Sequence, residues 1–214
     1  MAFTLYTYFR SSAAYRTRIA LNYKGLDYES ISVHLRRQEH RTDEYRHLNP
    51  QALVPALDHD GTVIPQSLAI IEYLEEIHPQ PALLPRRPQG RAIVRSMAQL
   101  IASEMHPLCN LRILLYLKDT LGQDEQHVNE WYHHWVAEGF GSLEEMVSQH
   151  STDGKHCFGN SVTLADVCLV PQVLNARRFD CDLSPYPEIV AISAALERLE
   201  AFASAHPSRQ PDAE

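Results

Sequence analysis

Hydroxyl and guanidinium groups are the side chains in this chain that most invite a chemical interpretation. Ser11 and Ser12 follow a short strand-like segment and precede a helical one. A serine hydroxyl placed there can cap the helix, or it can donate a hydrogen bond to an anion. The residues alone favour capping. Arg10, Arg177 and Arg178 could bind a carboxylate through the fork of the guanidinium, although most arginines simply face solvent.

Histidines and cysteines raise the question of a metal site or a disulfide frame. The twelve histidines include no HExxH motif, and His127, His133 and His134 form only a loose cluster on a helix. The four cysteines contain no CxxC pair. This usage is typical of reduced, mostly buried thiols in a cytoplasmic protein. We therefore predict neither a metal site nor a disulfide.

Composition narrows the classes of protein further. The chain has 214 residues, 44% hydrophobic and 21% charged, which is typical of a globular protein of one or two domains. The formal net charge of −8 argues against a nucleic-acid-binding or membrane-surface protein. The N-terminus has too short an apolar stretch for a signal peptide, and no run reaches the roughly eighteen apolar residues of a membrane span. We expect a cytoplasmic protein with neither nucleic acid nor membrane as a partner.

The first part of the chain alternates strand and helix patterns. Aromatic and β-branched residues with a period of two predict strands, and a helical segment closes at Gly25. The expected elements are a strand at 3–8, a helix at about 13–24, a strand at 28–35, a hairpin at 54–65 that turns at Asp60-Gly61, and a helix at 68–78. The order βαβ, then ββα, predicts a thioredoxin-like α/β domain over residues 1–80.

Helical patterns alone follow a proline-rich linker. Residues 78–90 contain four prolines and break every periodicity. Thr163 and Asp166 form the sequence pattern of a capping box at the start of one later helix. The segment 90–214 is therefore predicted to be an all-α domain with a frayed tail after residue 205. Its expected helices lie at about 90–118, 124–150, 163–178 and 186–204.

Four sequence segments together resemble one known family. They are SSAAYRTRIALNYKG, LNPQALVPALDHDG, IPQSLAIIEYLEE and SVTLADVCLVPQV. In this order and at these spacings the chain resembles the zeta class of glutathione transferases, which includes maleylacetoacetate and maleylpyruvate isomerases. The likeness runs from about residue 3 to residue 205. It implies the glutathione-transferase fold, with a thioredoxin-like N-terminal domain and a helical C-terminal domain, as well as glutathione as the cofactor and a homodimer.

The resemblance gives the paired serines a chemical role. It implies that Ser11 donates a hydrogen bond to the glutathione thiolate. Lowering a thiol pKa from about 8.5 by about two units takes roughly 2.7 kcal/mol. A hydrogen bond to a charged group contributes about 1.5–3 kcal/mol and a helix N-terminus about 0.3–1 kcal/mol, which is enough without a general base. The family motif has a cysteine where this chain has alanine, and the segment assigned to the cofactor is Ser11-Ser12-Ala13-Ala14-Tyr15-Arg16.

The resemblance also extends the glutathione site to other segments. Val54 precedes Pro55, for which the family implies a cis bond, and the Val54 backbone would pair with the cysteinyl part of glutathione. Gln66 and Ser67 would hold the γ-glutamyl end, with the Ser67 amide at a helix N-terminus facing a carboxylate. His40 would approach the glycyl end. The contacts implied from the helical domain are His106, Asn110, Leu111 and Arg112.

The implied reaction is a cis–trans isomerisation of a small maleyl keto-acid, in tyrosine or phenylalanine breakdown or in gentisate breakdown. The thiolate adds to the double bond, the resulting single bond rotates, and elimination gives the fumaryl isomer. The resemblance places Arg178 at the substrate carboxylate, with Arg10 as a second cation. Some maleylpyruvate isomerases have an arginine where this chain has Leu111, which favours the maleylacetoacetate branch.

Two other functions stay open from the sequence. The chain could be a general glutathione transferase that conjugates small electrophiles such as α-haloacids. It could also be a binding or scaffold protein on the same fold without turnover. A scaffold would have no need of Ser11, Pro55, Gln66, Ser67 and Arg178 together, and this argues against the scaffold function.

Overall fold

Two compact units divide the chain. The computed structural model describes residues 2–214. One unit comprises the chain up to Leu83 together with Glu197–Glu214, and the other comprises Leu84–Leu196. The break after Leu83 falls inside the proline-rich segment 78–90. The sequence-based division grouped 90–214 together, whereas the structure places Glu197–Glu214 with the first unit.

A four-stranded sheet forms the centre of the first unit. Its strand order is β2-β1-β3-β4, with β1 parallel to β2 and the other two pairs antiparallel. Leu5 on β1 lies opposite Ser30 on one side and Leu57 on the other. Because β1 is an interior strand, the chain that leaves its C-terminal end starts between neighbouring strands and not at the side of the sheet. The strands are β1 Phe3–Thr7, β2 Tyr28–Ser32, β3 Ala56–His59 and β4 Thr62–Pro65.

Three helices follow the strands of this unit: α1 Ser12–Tyr23, α2 Asp43–Leu48 and α3 Ser67–Ile77. A short 3₁₀ turn at Glu39–Arg41 precedes α2. Helix α1 ends at a glycine, Gly25, whose φ of +65° is a left-handed conformation that glycine adopts without strain. The sheet and the helices bury one apolar cluster of Phe3, Leu5, Leu21, Leu57, Ile70 and Leu74.

The second unit is all helical. Its helices are α4 Pro88–Gln99, α5 His106–Leu108, α6 Leu111–Leu115, α7 Glu125–His150, α8 Leu164–Arg178 and α9 Pro187–Leu196. The expected single helix at about 90–118 is interrupted. A π-helical segment at Leu100–Met105 follows α4, Cys109 and Asn110 separate α5 from α6, and a second π-helical segment covers Tyr116–Thr120.

Helix α8 is the central element of the second unit. Most of its residues are buried, and it packs against α4 and α9. The predicted capping box is confirmed at its start. The Asp166 carboxylate accepts hydrogen bonds of 2.7 Å each from the Thr163 amide, the Thr163 hydroxyl and the Cys157 amide. Burial raises the pKa of the Asp166 carboxyl, and these three donors oppose that rise.

The prediction of a frayed tail after residue 205 was wrong, because the Asp212 carboxylate accepts from the Phe9 amide and the Gln210 side chain donates to the Ser204 and His206 carbonyls. Helix α10, Glu200–Ala205, packs against α1, and a 3₁₀ turn at Pro207–Arg209 follows. The Tyr15 hydroxyl donates to the Phe202 carbonyl at 3.3 Å. Asn22 donates to the Ser204 hydroxyl at 3.0 Å. These contacts explain why the end of the chain belongs to the first unit.

Candidate functional site

The N-terminus of α1 presents Ser11. Its hydroxyl oxygen accepts a hydrogen bond from the Ala14 amide at 3.2 Å, and its carbonyl accepts one from the Tyr15 amide at 2.8 Å. Ser11 is therefore the N-cap that the residues alone predict. A hydroxyl has two acceptor positions and one hydrogen to donate. Because the cap uses only an acceptor position, capping and donation to a thiolate are compatible, and the half-buried side chain keeps access to solvent.

The next residues of the motif support the helix from within the unit. Ser12 and Ala14 are buried, and Ala13 is half-buried. Tyr15 and Arg16 are each 1% exposed. The Tyr15 hydroxyl already has a partner in α10, which gives this side chain a structural role in addition to any predicted contact with the cofactor.

Arg18 holds the turn that precedes Ser11, and the sequence analysis did not find it. Its fully buried guanidinium donates to the Thr7 hydroxyl at 2.9 Å, the Phe9 carbonyl at 3.1 Å and the Tyr8 carbonyl at 3.4 Å. It also donates to the Ala205 carbonyl at 3.1 Å. Burial lowers the Arg18 pKa to about 10, so the group stays charged at neutral pH. In the sequence Arg18 follows Arg16 and Thr17, and no local pattern distinguishes it from a solvent-facing arginine.

Arg10 lies between this turn and Ser11. The centre of its guanidinium is 5.8 Å from the centroid of the Phe9 ring, a cation–π distance. Its side chain is half-buried. The first predicted cation therefore lies against the Phe9 ring and precedes Ser11 by one residue in the chain.

The loop before β3 brings Val54 to the same region. The bond between Val54 and Pro55 is cis, as predicted. The Tyr45 hydroxyl and the Asn49 side-chain amide both donate to the Leu53 carbonyl, at 2.7 Å and 2.8 Å, and so hold the loop. The Val54 side chain packs in one cluster with Tyr8, Phe9, Val33 and Tyr45. Among residues 2–214, the Val54 N–H and C=O make no hydrogen bond to other backbone groups.

The start of α3 carries an unusual backbone. Gln66, the residue before the helix, has φ +72°, which is rare for any residue except glycine. Such a conformation costs about 1–3 kcal/mol and is found mostly at ligand and active sites. The Gln66 side chain donates to that of Gln51 at 2.7 Å, and Ser67 is buried at the first helical position. The strain is consistent with the predicted binding of the γ-glutamyl end here.

His40 lies in the 3₁₀ turn before α2. Its Nδ1 atom is buried and has no hydrogen-bond partner among the described residues. Burial, together with the charges of Arg41 and Arg46, lowers the His40 pKa below its usual value. A neutral ring with one N–H to donate, next to two cations, suits a carboxylate ligand.

The predicted residues of the second unit form two groups. Asn110 caps α6 by accepting from the Arg112 amide at 3.1 Å, and its side-chain nitrogen lies 3.3 Å from His106 Nε2. Leu111 and Arg112 are exposed. Arg178, the last residue of α8, is exposed and donates to the Asn175 side chain at 3.3 Å. The structure thus brings His106 and Asn110 together and presents Arg178 as an accessible cation.

Aromatic packing fixes the end of α8 from which Arg178 extends. The Phe179 ring stacks on Tyr132 with centroids 3.9 Å apart, and His133 Nε2 lies 2.6 Å from the Phe179 carbonyl. Tyr132 is fully buried. No local sequence pattern indicates this support, because it joins residues of α7 to residues beyond the end of α8.

Comparisons with known proteins identify the family. The model of the glutathione S-transferase N-terminal domain matches residues 1–76. A solved holo structure of a maleyl pyruvate isomerase, a bacterial zeta-class glutathione S-transferase, is 48% identical, with 99% of this chain and 100% of that chain covered and a TM-score of 0.96. The chain belongs to the zeta class of glutathione transferases. The predicted family and fold class are thereby confirmed.

Other relatives of this zeta-class transferase are named maleylacetoacetate isomerase. A probable maleylacetoacetate isomerase of Vibrio cholerae is 51% identical over 100% of this chain and 99% of the relative. A solved maleylacetoacetate isomerase of Anaeromyxobacter dehalogenans, with glutathione bound in its active site, is 41% identical with a TM-score of 0.89. It covers 100% of this chain and 98% of that chain.

The cysteines of this zeta-class transferase lie away from the motif at α1. All four are free thiols, and Ala13 stands at the motif position. Burial raises the pKa of Cys109 to about 12 and that of Cys181 to about 11. Thiols of that kind are poor nucleophiles at neutral pH. The described residues also contain no group of three metal-ligating side chains and no helix long and apolar enough to cross a membrane.

Proposed function

We propose that this chain is a glutathione-dependent cis–trans isomerase that converts a maleyl keto-acid, maleylacetoacetate or maleylpyruvate, to the fumaryl isomer. The observation that carries the proposal is a full-length likeness to isomerases of both names, together with a glutathione-bound structure among them. The residues present in this chain also fit the cofactor.

The first unit offers glutathione a set of groups along its proposed length. The Val54 backbone would pair with the cysteinyl part of the tripeptide, as an added strand does. The α3 N-terminus at Ser67, with Gln66 before it, would bind the γ-glutamyl carboxylate. His40, with its unpartnered Nδ1, would face the glycyl carboxylate. Because these groups recognise both ends and the middle, they fit the whole tripeptide.

Ser11 has one task in the proposed reaction. When bound, glutathione supplies the thiolate that adds reversibly to the substrate double bond and so permits rotation. The Ser11 hydroxyl, oriented by its cap to α1, donates its hydrogen to that sulfur and lowers the thiol pKa. The positive end of the helix adds to the effect. No side chain has to act as a general base.

Arg178 is the residue that we assign to the substrate carboxylate. Its guanidinium can hold both carboxylate oxygens at once, and the fixed end of α8 limits where it can reach. Arg10 is the second cation of the proposal, next to Ser11 in the chain. Both residues bind and orient substrate, and neither transfers a proton.

Product analysis tests the proposed function. The purified protein is incubated with maleylacetoacetate and with maleylpyruvate, with and without glutathione, and the products are followed by mass spectrometry and proton NMR. An isomerase yields the trans isomer at unchanged mass, only with glutathione, while the glutathione concentration stays constant. Stoichiometric consumption of glutathione into a conjugate would instead support a transferase, and no turnover of either diacid would contradict the proposal.

We further propose a homodimer in the cytoplasm. The resemblance to the family supports the dimer, and the four free cysteines and the dependence on reduced glutathione are consistent with a cytoplasmic location. Light scattering coupled to gel filtration at micromolar concentration should give about twice the mass of one chain. A single-chain mass under those conditions would rule out a stable dimer.

A further inference from the structure

The backbone C=O and N–H of Phe9, which belong to two consecutive peptide groups, are held by side chains of opposite charge. Arg18 donates to the Phe9 carbonyl at 3.1 Å from inside the unit. On the other side, the Phe9 amide donates to the Asp212 carboxylate at 3.0 Å. The two partners come from α1 and from the C-terminal segment. Phe9 precedes Ser11 by two residues, so the backbone at Phe9 sets the path of the chain into α1.

Asp212 reaches this turn because the C-terminal segment is anchored along its length. The Gln210 side chain donates to the Ser204 and His206 carbonyls at 2.9 Å and 3.0 Å. At the far end, Arg37 donates to the Glu214 carboxylate at 2.9 Å. The Asp212 oxygen that accepts from Phe9 also accepts from the Ser32 hydroxyl at 2.9 Å. The contact to Phe9 is therefore part of a built arrangement.

The same turn fixes the Ser11 backbone. The Tyr8 carbonyl accepts from the Ser11 amide at 3.0 Å and lies 3.4 Å from an Arg18 nitrogen. Hydrogen bonds with one charged partner are about twice as strong as neutral ones. The Tyr8–Phe9 peptide is thus held at its C=O by the Ser11 amide and Arg18 and at its N–H by Asp212, so the Tyr8–Ser11 turn has little freedom to rotate. Without Asp212, only the carbonyl side of that peptide would stay fixed.

We propose that Asp212 is a positioning residue that acts through the Phe9 amide to hold the Ser11 hydroxyl in the direction of the glutathione thiolate. The inference rests on the proposed function of Ser11. It gives the end of the chain, 203 residues away from Phe9, a part in the chemistry. Small displacements of a donor reduce its effect on a developing or existing charge, so a loosened turn would raise the thiol pKa.

The experiment compares Asp212→Ala with Asp212→Asn. Alanine removes the acceptor, whereas asparagine keeps an oxygen that can accept from Phe9. The readouts are the pKa of enzyme-bound glutathione, from the ultraviolet absorbance of its thiolate against pH, and kcat and KM for the keto-acid. For Asp212→Ala we expect a raised thiol pKa and a kcat lower by roughly three- to tenfold at neutral pH, recovering at high pH. The KM should change little, and Asp212→Asn should restore most of the loss.

Ser32→Ala is the matched control, because it removes the other donor to Asp212 and leaves the Phe9 contact in place. It should behave like the wild type. A thermal melt accompanies every variant. If Asp212→Ala lowers only the melting temperature and leaves the thiol pKa and kcat unchanged, Asp212 is merely structural and the inference is overturned. The inference also fails if Asp212→Asn is as impaired as Asp212→Ala.

Ser11→Ala separates this inference from the function on which it rests. If Ser11→Ala raises the thiol pKa and Asp212→Ala does not, the role of Ser11 stands and that of Asp212 falls. If Ser11→Ala leaves the thiol pKa unchanged, the role proposed for Ser11 itself is wrong. A raised thiol pKa in both variants, larger for Ser11→Ala, supports both.

Discussion

Ser11 caps α1, and our proposal gives the same hydroxyl a chemical role. The oxygen caps α1 through the Ala14 amide, and the hydrogen is left for the thiolate. Any substitution of Ser11 therefore changes two things at once. An alanine loses about 1 kcal/mol of capping, while a glycine in the same place loses only a few tenths. This difference allows the two roles to be measured separately.

We predict that Ser11→Ala and Ser11→Gly lose the same activity, roughly ten- to a hundredfold in kcat/KM at neutral pH, since each removes a hydrogen bond to a charged group. The loss should shrink at high pH, where glutathione ionises unaided. The measurement is the pH–rate profile at saturating glutathione. A larger loss in the alanine than in the glycine variant would mean that helix capping is the source, and a wild-type profile in both would remove Ser11 from the reaction.

Arg178 should have a different signature. Arg178→Ala should raise the KM for the keto-acid and lower kcat/KM by roughly ten- to a hundredfold, because a charge-assisted contact to a carboxylate is lost. High pH should not restore it. The kcat/KM of Arg178→Lys should lie between those of the wild type and Arg178→Ala, since lysine keeps the charge but lacks the bidentate fork. Arg177→Ala, the neighbouring exposed arginine, is the control and should change kinetics far less. Unchanged substrate dependence in Arg178→Ala would assign the carboxylate to Arg10.

Site residues whose contacts lie close in the sequence could be predicted, and those held by distant segments could not. The Ser11 cap depends on residues three positions apart, and the cis bond before Pro55 follows from a family motif. Arg18 and Asp212 hold the same turn through contacts with the last segment of the chain. No local pattern indicates such a contact, because it exists only once α10 packs on α1. The supporting residues Arg18 and Asp212 were therefore missed, whereas the Ser11 cap and the cis bond before Pro55 could be predicted.

At the scale of elements, the strands and helix starts were predictable and the helix interruptions were not. The 3.6-residue period of an α-helix and the longer period of a π-helix give nearly the same hydrophobic pattern over the six residues Leu100–Met105. The expected helix at 90–118 therefore looked continuous. The expected helix at 186–204 likewise divides into α9 and α10. The capping box at Thr163 was found because its residues are neighbours in the sequence.

The start of α8 provides a stability prediction. Asp166→Asn should destabilise the protein by about 2–3 kcal/mol. The side-chain NH₂ group of asparagine would replace one acceptor oxygen and face a buried N–H or O–H donor, which would lose its partner. The melting temperature should fall by roughly 5–10 °C. Asp124→Asn is the matched control. Asp124 caps α7 through the His127 amide but is exposed, and asparagine caps equally well there. Equal melting temperatures for the two variants would contradict the buried network.

At the scale of the whole molecule, the end of the chain returns to the beginning. Residues Glu197–Glu214 belong to the unit that contains the sheet, although the helical patterns of the sequence placed them with the other helices. Their hydrogen bonds to the Tyr8–Ser11 turn and to β2 tie the last residues of the chain to the sheet. Composition and periodicity indicate the secondary structure of each segment. They carry no information on which unit the final helix packs in.

Glutathione should stabilise the folded chain, since its proposed groups exist together only in the folded first unit. A ligand that binds the native state alone stabilises it by RT ln(1 + [L]/Kd), about 2.7 kcal/mol at a hundred times Kd. The melting temperature should therefore rise by roughly 5–10 °C in a thermal melt. S-methylglutathione should give a similar rise, because in our proposal the backbone and the two ends of the tripeptide are recognised by Val54, Gln66, Ser67 and His40. Arg178→Ala should respond as the wild type does. A rise with glutathione that S-methylglutathione does not reproduce would show that binding depends on the sulfur, and the recognition we assign to those four residues would then be wrong.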